Sequence, residues 1–291
     1  MRYRSAMTTD VFEAQRPRLT GIAYGMLGSI MDAEDVVQDV YIRWAGVDTA
    51  TIDTPAAYLT TITTRIAIDR LRSARHRRET YIGPWLPEPF VIGVDDDPAD
   101  IVESAERLSM ALLVTLERLN PVERAVLLLR DVFDLEYPEI ADVVDKSPDN
   151  CRQIAARARD RVGDPARSRP LDATERRLAH AYAVAITDRD VAGLAAILAD
   201  DVVLWSDGGG TTRAALHPVA GRDKVAKFLV GVSRWAPEVV SAELVRVNGA
   251  LGWRVAAESA PLAVISFEID EDLIAGIRIV LNPDKLVHLA H

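Results

Sequence analysis

Cysteine is nearly absent from this chain: Cys151 is the single one in 291 residues. One cysteine excludes an intramolecular disulfide and provides no cysteine-based metal cluster. Long apolar runs are also missing, and none approaches the ~20 residues needed to cross a bilayer. No apolar core follows Met1-Arg2-Tyr3-Arg4, so a secretory signal is not expected and a cytoplasmic location is. An excess of positive charge is lacking too. With 34 basic against 44 acidic residues the formal net charge is −10, whereas nonspecific affinity for DNA comes mainly from neutralising phosphates. A protein of this charge that handles DNA must confine its basic surface to small patches, or approach DNA with a partner.

The arginines are indeed clustered. Arg65, Arg70, Arg72, Arg75, Arg77 and Arg78 crowd one segment, and Arg152, Arg157, Arg159 and Arg161 another. The second cluster lies in Glu136–Val162, EYPEIADVVDKSPDNCRQIAARARDRV. Pro138 suits a first helical turn, where a missing N–H costs nothing. Ile140, Ala141 and Val144 form an apolar stripe; the run stops at Asp145-Lys146, and Ser147-Pro148 restarts it as N-cap and first helical residue. In the second helix Cys151, Ile154, Ala155 and Ala158 face inward. Asn150, Arg152, Gln153, Arg157 and Arg159 are left outward. A short helix, a tight turn and a helix with a basic outer face are the parts of a helix-turn-helix reader of the major groove. Other helical hairpins share the pattern. Cys151, on the apolar side, reads as a plain buried thiol.

The length allows about two to three domains, and composition shifts divide the chain. Residues 10–78 read as a helical module. Phe12 to Leu27 is amphipathic, interrupted by Pro17 and ended by Gly28. Asp32 caps DAEDVVQDVYIRWAG, whose Ala33, Val36, Val37, Val40, Tyr41 and Trp44 recur at helical spacing, and Pro55 opens PAAYLTTITTRIAIDRLRSARHRR. Residues 79–100 hold Pro84, Pro87, Pro89 and Pro98 and favour an extended linker. A second helical module spans 101–162, with Asn120, Pro121 and Glu123 arranged as a capping box. Residues 163–171 form another linker. In 172–291 two helices, ERRLAHAYAVAITDRD and VAGLAAILAD, precede strand-like runs at Val202–Trp205, Glu243–Val247, Trp253–Ala256, Leu262–Ile269 and Ile274–Leu281. The fold class is therefore multidomain: two all-α modules, then an α+β domain with a curved antiparallel sheet over helices.

Three segments in order, DAEDVVQDVYIRWAG, YLTTITTRIAIDRLRSARHRR and LERLNPVERAVLLLRDVFDLEYPEIADVVDKSPDNCRQIAARARDRV, resemble the extracytoplasmic-function sigma factors of bacterial RNA polymerase over about residues 10–162. The resemblance implies core RNA polymerase and promoter DNA, with its −35 and −10 elements, as partners, and no cofactor, metal or catalytic residue. It implies that Asp35, Gln38 and Asp39 dock on an arginine-rich surface of the polymerase. Arg65, Arg70, Arg72 and Arg75 would track the melted −10 strand behind the turn Gly46–Thr54. Arg65 stands where the family often has asparagine. Asn150, Arg152 and Gln153 would reach base edges of the −35 element, with Arg157 and Arg159 on phosphates.

Three further signatures resemble the subgroup of these factors carrying a fused SnoaL-like domain. They are Trp85-Leu86-Pro87-Glu88-Pro89, Asp207-Gly208-Gly209-Gly210 and Asn282-Pro283-Asp284-Lys285-Leu286. A lysine commonly follows the glycine triplet in that subgroup; here it is Thr211. Such domains are cones that could take an unknown small ligand, with Trp205, Asp207, His217 and Trp235 as lining groups. The glycines read as a tight turn that lets another backbone approach closely. The three signatures are expected to meet and to tune the sigma modules in cis. Two rivals remain at this point: a one-component regulator sensing a ligand, and a cyclase- or isomerase-type enzyme.

Overall fold

The computed structural model describes residues 2–78, 80–94, 107–162, 172–235, 240–258 and 260–290. The chain folds as two units: one comprises residues up to 79, 97–108 and 112–164, the other 80–96, 109–111 and 165–291.

In the first unit α1 (Arg2–Leu27) continues through Pro17 instead of breaking there. Proline removes one helical hydrogen bond, and the helix is held on both sides of it by buried Phe12, Leu19, Ile22 and Met26. Helix α2 (Ile30–Ala45) starts before Asp32: its N-cap is Ser29, whose side chain accepts from the Asp32 N–H. Asp32 instead supplies first-turn negative charge, which favours the helix dipole. Val36, Val37, Val40 and Trp44 bury the expected stripe, and Trp44 lies 5.9 Å from Tyr58 of α3 (Pro55–Arg78). Burying each such side chain contributes about 1.5–3 kcal/mol.

The same unit carries all but the first two residues of α4 (Met110–Leu116), then α5 (Pro121–Asp131), α6 (Tyr137–Val144) and α7 (Pro148–Val162). Asn120 Oδ1 accepts from the N–H groups of Val122 and Glu123, while Glu123 returns a carboxylate to the Asn120 N–H, all at 3.0 Å. Helix α6 ends at Asp145 in the left-handed region, φ 54°. Asp tolerates that conformation better than bulky residues do, and it turns the chain sharply into Ser147, which caps α7 by accepting from the Asn150 N–H at 3.2 Å. Cys151, Ile154, Ala155 and Ala158 are buried as the periodicity requires. The two helical modules touch each other within this unit. Leu108 and Leu128 approach Gly25 so closely that a Cβ there would meet them at 3.2–3.3 Å.

The second unit has α8 (Asp172–Thr187), α9 (Val191–Ala196) and α10 (Arg222–Ser233), with an open, curved sheet. Its strands are β1 (Val91–Gly93), β2 (Leu198–Asp207), β3 (Val219–Ala220), β4 (Ser241–Val247), β5 (Ala250–Ala257), β6 (Ala260–Asp270) and β7 (Leu273–Val280). Their order is β1-β4-β5-β6-β7-β2-β3, antiparallel throughout except for β2 beside β7. Register breaks at Val255/Ala256 and Glu268/Ile269 are the irregularities that bend strands. One face packs on the helices through Leu178, Tyr182, Leu198, Leu204, Leu229, Phe267 and Ile277.

Three elements here lie outside the expectations from sequence. Strand β1 belongs to the proline-rich linker, β3 is two residues long, and α10 went unassigned. The run VAGLAAILAD, read as one helix, splits into α9 and the start of β2 because Ile197-Leu198 suits either state.

Replacing Asn120 with alanine removes both acceptor contacts of the α5 cap. Urea unfolding of the full chain should show a loss of about 1 kcal/mol, and an unchanged midpoint would mean the box contributes nothing.

Candidate nucleic-acid interface and linker site

On α2, Asp35 and Gln38 are exposed and Asp39 is half-buried. Arg70 of α3 reaches back to this surface: its guanidinium lies 2.6 Å from Asp39 and 3.6 Å from Asp35, and it donates to the Asp32 carbonyl at 3.3 Å. The residues expected at polymerase and those expected at DNA are thus joined through one arginine. Arg72 pairs with Asp69 of its own helix at 3.1 Å. Arg65 donates through Nε to the Val143 carbonyl at 3.0 Å and through Nη2 to the Asp142 carbonyl at 2.8 Å. Those carbonyls end α6, where the helix dipole favours a cation. Arg75 falls within α3, but its side chain lies outside the described residues.

On α7, Arg152, Gln153, Arg157 and Arg159 are exposed and Asn150 partly so. Arg152 pairs with Asp149 at 2.5 Å and stacks over Tyr137 at 5.3 Å. Arg159 pairs with Asp131, which holds its guanidinium well above the usual arginine range. Arg161, not among the expected contact residues, pairs with the capping-box Glu123 at 2.8 Å. Arg124 carried no expectation at all. It is 1% exposed, donates to the Gly25 carbonyl at 3.0 Å and pairs with Glu117 at 2.5 Å. Nothing in helical periodicity distinguishes a buried arginine of this kind from a surface one.

In the second unit the three signature motifs converge. Asp207, with no exposed surface, closes β2. Its Oδ1 accepts from the Tyr81 hydroxyl at 2.5 Å and the Gly209 N–H at 3.0 Å; its Oδ2 accepts from the Leu86 N–H at 2.8 Å and Lys285 Nζ at 2.6 Å. Lys285 also donates to the Leu86 carbonyl at 2.5 Å, and its ammonium sits 4.3 Å from the Trp85 ring and 4.9 Å from the Tyr81 ring. Asn282 donates to the Tyr81 oxygen at 2.9 Å while its Oδ1 caps the Asp284 N–H. Burial, with the Asp207 contact, pushes the Tyr81 phenol well above its ordinary pKa.

The glycine triplet allows this closeness. Gly209 has φ 63°, and a Cβ there would lie 2.5 Å from the Asn282 side chain; at Gly208 it would lie 2.1 Å from the Thr212 carbonyl. Leu86 is completely buried and Leu286 likewise. Pro87 is buried, whereas Pro283 and Asp284 begin the short 3-10 turn that carries Lys285. Tyr81 and Asn248 carried no sequence signal, each being an isolated polar residue in a turn-rich stretch.

The four groups expected to line a cone have different surroundings. Strand alternation puts Val202 and Leu204 in the helical core and Trp205 and Asp207 outside it. Trp205 lies against Arg278 at 5.0 Å, Asp207 is held by the linker, the glycine turn and Lys285, and Trp235 is 64% exposed beside Arg213. His217 is also exposed.

Comparison with known proteins defines the class. Residues 11–77 match the Sigma-70 region 2 model and residues 109–162 the Sigma-70, region 4 model. The ECF RNA polymerase sigma factor SigJ of Mycobacterium tuberculosis is 37% identical, over 96% of this chain and 93% of the relative. The probable ECF RNA polymerase sigma factor SigI of the same organism is 28% identical, over 94% and 93%. The crystal structure of M. tuberculosis SigJ superposes with a TM-score of 0.78 at 34% identity, covering 96% of this chain and 98% of that one. The chain belongs to the extracytoplasmic-function sigma factors of RNA polymerase.

Removing the Asp207 carboxylate strands a buried ammonium. Asp207→Ala should destabilise the protein by about 3–5 kcal/mol, and adding Lys285→Met should restore part of the loss. Urea unfolding of the two variants checks this; equal stabilities would show that the charges do not depend on each other.

Proposed function

We propose that this sigma factor docks on core RNA polymerase through the outer face of α2, reads the −35 element with α7 and the melted −10 strand with α3. We propose further that its C-terminal domain tunes those steps in cis by holding the linker. The clasp of Asp207 and Lys285 on the Leu86 backbone carries the regulatory part, because a buried ion pair closed on a main-chain N–H and C=O fixes the linker's position. The residues in that clasp are Trp85, Leu86 and Pro87, with Asp207 to Gly210 and Asn282 to Leu286.

For docking, Asp35 and Gln38 share the exposed face of α2 with Met31 and Ile42, 54% and 63% exposed, at spacings that keep all four on one side. Apolar groups flanked by carboxylates suit a partner surface of arginines with aliphatic stems. For DNA, Asn150, Arg152 and Gln153 occupy the first turns of α7, the part of a recognition helix that meets base edges. Arg157 and Arg159 stand further along, toward a phosphate backbone. Arg65 is exposed but holds the α6 carbonyls through Nε and Nη2, so drawing it onto a DNA strand would compete with that contact between α3 and α6. No catalytic role is proposed for the buried carboxylate of the linker site, whose four hydrogen bonds are already made to the linker, the glycine turn and Lys285. No helix among the described residues is long and apolar enough to cross a membrane.

Charge reversal of Asp35 and Asp39 together should weaken core-polymerase binding while leaving helical content intact. A cost of about 2–5 kcal/mol is expected for buried contacts and less at a rim; unchanged affinity in a titration removes α2 from the docking surface. Arg152→Ala or Gln153→Ala should cost about 1–3 kcal/mol of discrimination between matched and mismatched −35 sequences. Arg157→Ala should weaken binding evenly on all sequences and reduce its salt dependence. If the three behave alike on both templates, the division into base and phosphate readers is wrong.

A further inference from the structure

The second unit binds its linker as receptors bind peptides. Of the groups it holds between Leu86 and Phe90, five belong to the backbone. Leu86 gives its N–H to Asp207 and its carbonyl to Lys285. The Pro89 carbonyl lies 3.0 Å from His288 Nε2. Phe90 is read twice by Asn248, whose Oδ1 accepts its N–H at 3.1 Å and whose own N–H donates to its carbonyl at 2.8 Å. Beyond it, Val91, Ile92 and Gly93 pair antiparallel with Val247, Arg246 and Val245, so the segment finishes as an added edge strand.

Main-chain hydrogen bonds with a buried side-chain anchor are how strand-addition modules hold extended peptides. Leu86 is the anchor, and Trp85 supplies the ring over Lys285. Pro87 and Pro89 bring no N–H to be satisfied and hold the segment extended before it is bound, so little ordering is required on docking. Asn248 takes its place in the left-handed region, φ 51°, in the β4–β5 turn. The receptor side is thus built from three separate turns, after β2, after β4 and after β7, none of which contains linker residues.

We infer that the C-terminal domain is a peptide receptor selective for an extended aromatic-Leu-Pro-X-Pro segment followed by a strand, and that its own linker is the resident ligand. The same segment offered in trans occupies the site whenever the linker is out. This deepens the regulatory reading above and rests on it only for its consequence: a segment that takes the site would free the linker. A tethered ligand has an effective concentration of about a millimolar, so the resident linker outcompetes a trans peptide at about a micromolar by about a thousandfold.

The test uses the full chain with residues 85–90 replaced by glycine and serine, and a fluorescein-labelled synthetic peptide of sequence Thr80–Val94. Saturable anisotropy binding to this chain is expected, at least ~10-fold weaker after Lys285→Met in the same chain, and about a thousandfold weaker to the natural chain for a peptide of about micromolar affinity. A peptide with Leu86→Asp should not bind. Absence of binding to a replaced chain that keeps its circular dichroism and melting overturns the inference. If the replaced chain does not fold, protease sites placed at positions 79 and 96 of the otherwise natural chain release the linker as a noncovalent segment. Exchange for excess labelled peptide then supports a receptor, and no exchange makes the linker a fixed part of the fold, which also overturns it. Excess peptide added to transcription by the natural chain separates the two readings. Binding without any change in transcription leaves the receptor standing and removes the regulatory consequence.

Discussion

A carboxylate with no exposed surface must be matched donor for donor, and Asp207 is the point on which the C-terminal unit turns. Its four hydrogen bonds come from the linker, from the glycine turn and from the terminal 3-10 turn. Removal of one donor leaves charge in a medium where an isolated ion costs several kcal/mol. The linker is therefore not packed loosely on the domain by apolar contact alone. Its position is specified by charge, and the glycine triplet, the asparagine and the lysine of the signature motifs each have a geometric duty around that one side chain.

The DNA-facing modules follow a different rule, in which most candidate arginines have a partner within the protein. Arg70 is shared between Asp35 and Asp39, Arg65 caps α6, Arg152 pairs with Asp149 and Arg159 with Asp131. Exposed pairs of this type contribute little to stability, roughly 0–1 kcal/mol each, and are exchanged readily for phosphates. They show how a chain with a net charge of −10 can carry clustered arginines: in the proposed reading the positive groups are locally neutralised until a polyanion takes the place of their internal partners. Arg70 bridges the two sets, so under the proposed docking a polymerase surface drawing on Asp35 and Asp39 would leave that arginine freer for DNA.

Much of this was legible in the sequence. The caps at Asn120 and Ser147, the stripe of α2 and the inward set Cys151, Ile154, Ala155 and Ala158 follow from local chemistry at fixed spacings. The five strand-like runs of the C-terminal region are strands in the structure. What stayed hidden depends on partners distant in sequence. Tyr81, Asn248 and His288 matter only because the chain returns to them after more than a hundred residues, and no periodicity announces that. Val91–Gly93 is too short to register as a strand without the β4 edge that pairs it. Trp205 and Asp207 invited a shared pocket, yet strand alternation turns both from the helical core, and the side chain with the most chemistry is spent on the linker.

The claim that the C-terminal domain acts on transcription by gripping the linker is most directly tested by run-off transcription with core polymerase. Three proteins are compared: the full chain, the chain ending after Val162, and full-length Trp85→Ala, which weakens the grip while keeping the buried ion pair. Promoter-specific output should change in the truncated protein, and Trp85→Ala should change it in the same direction and by less. Identical output and core affinity from all three would contradict the account and leave the domain without a regulatory role.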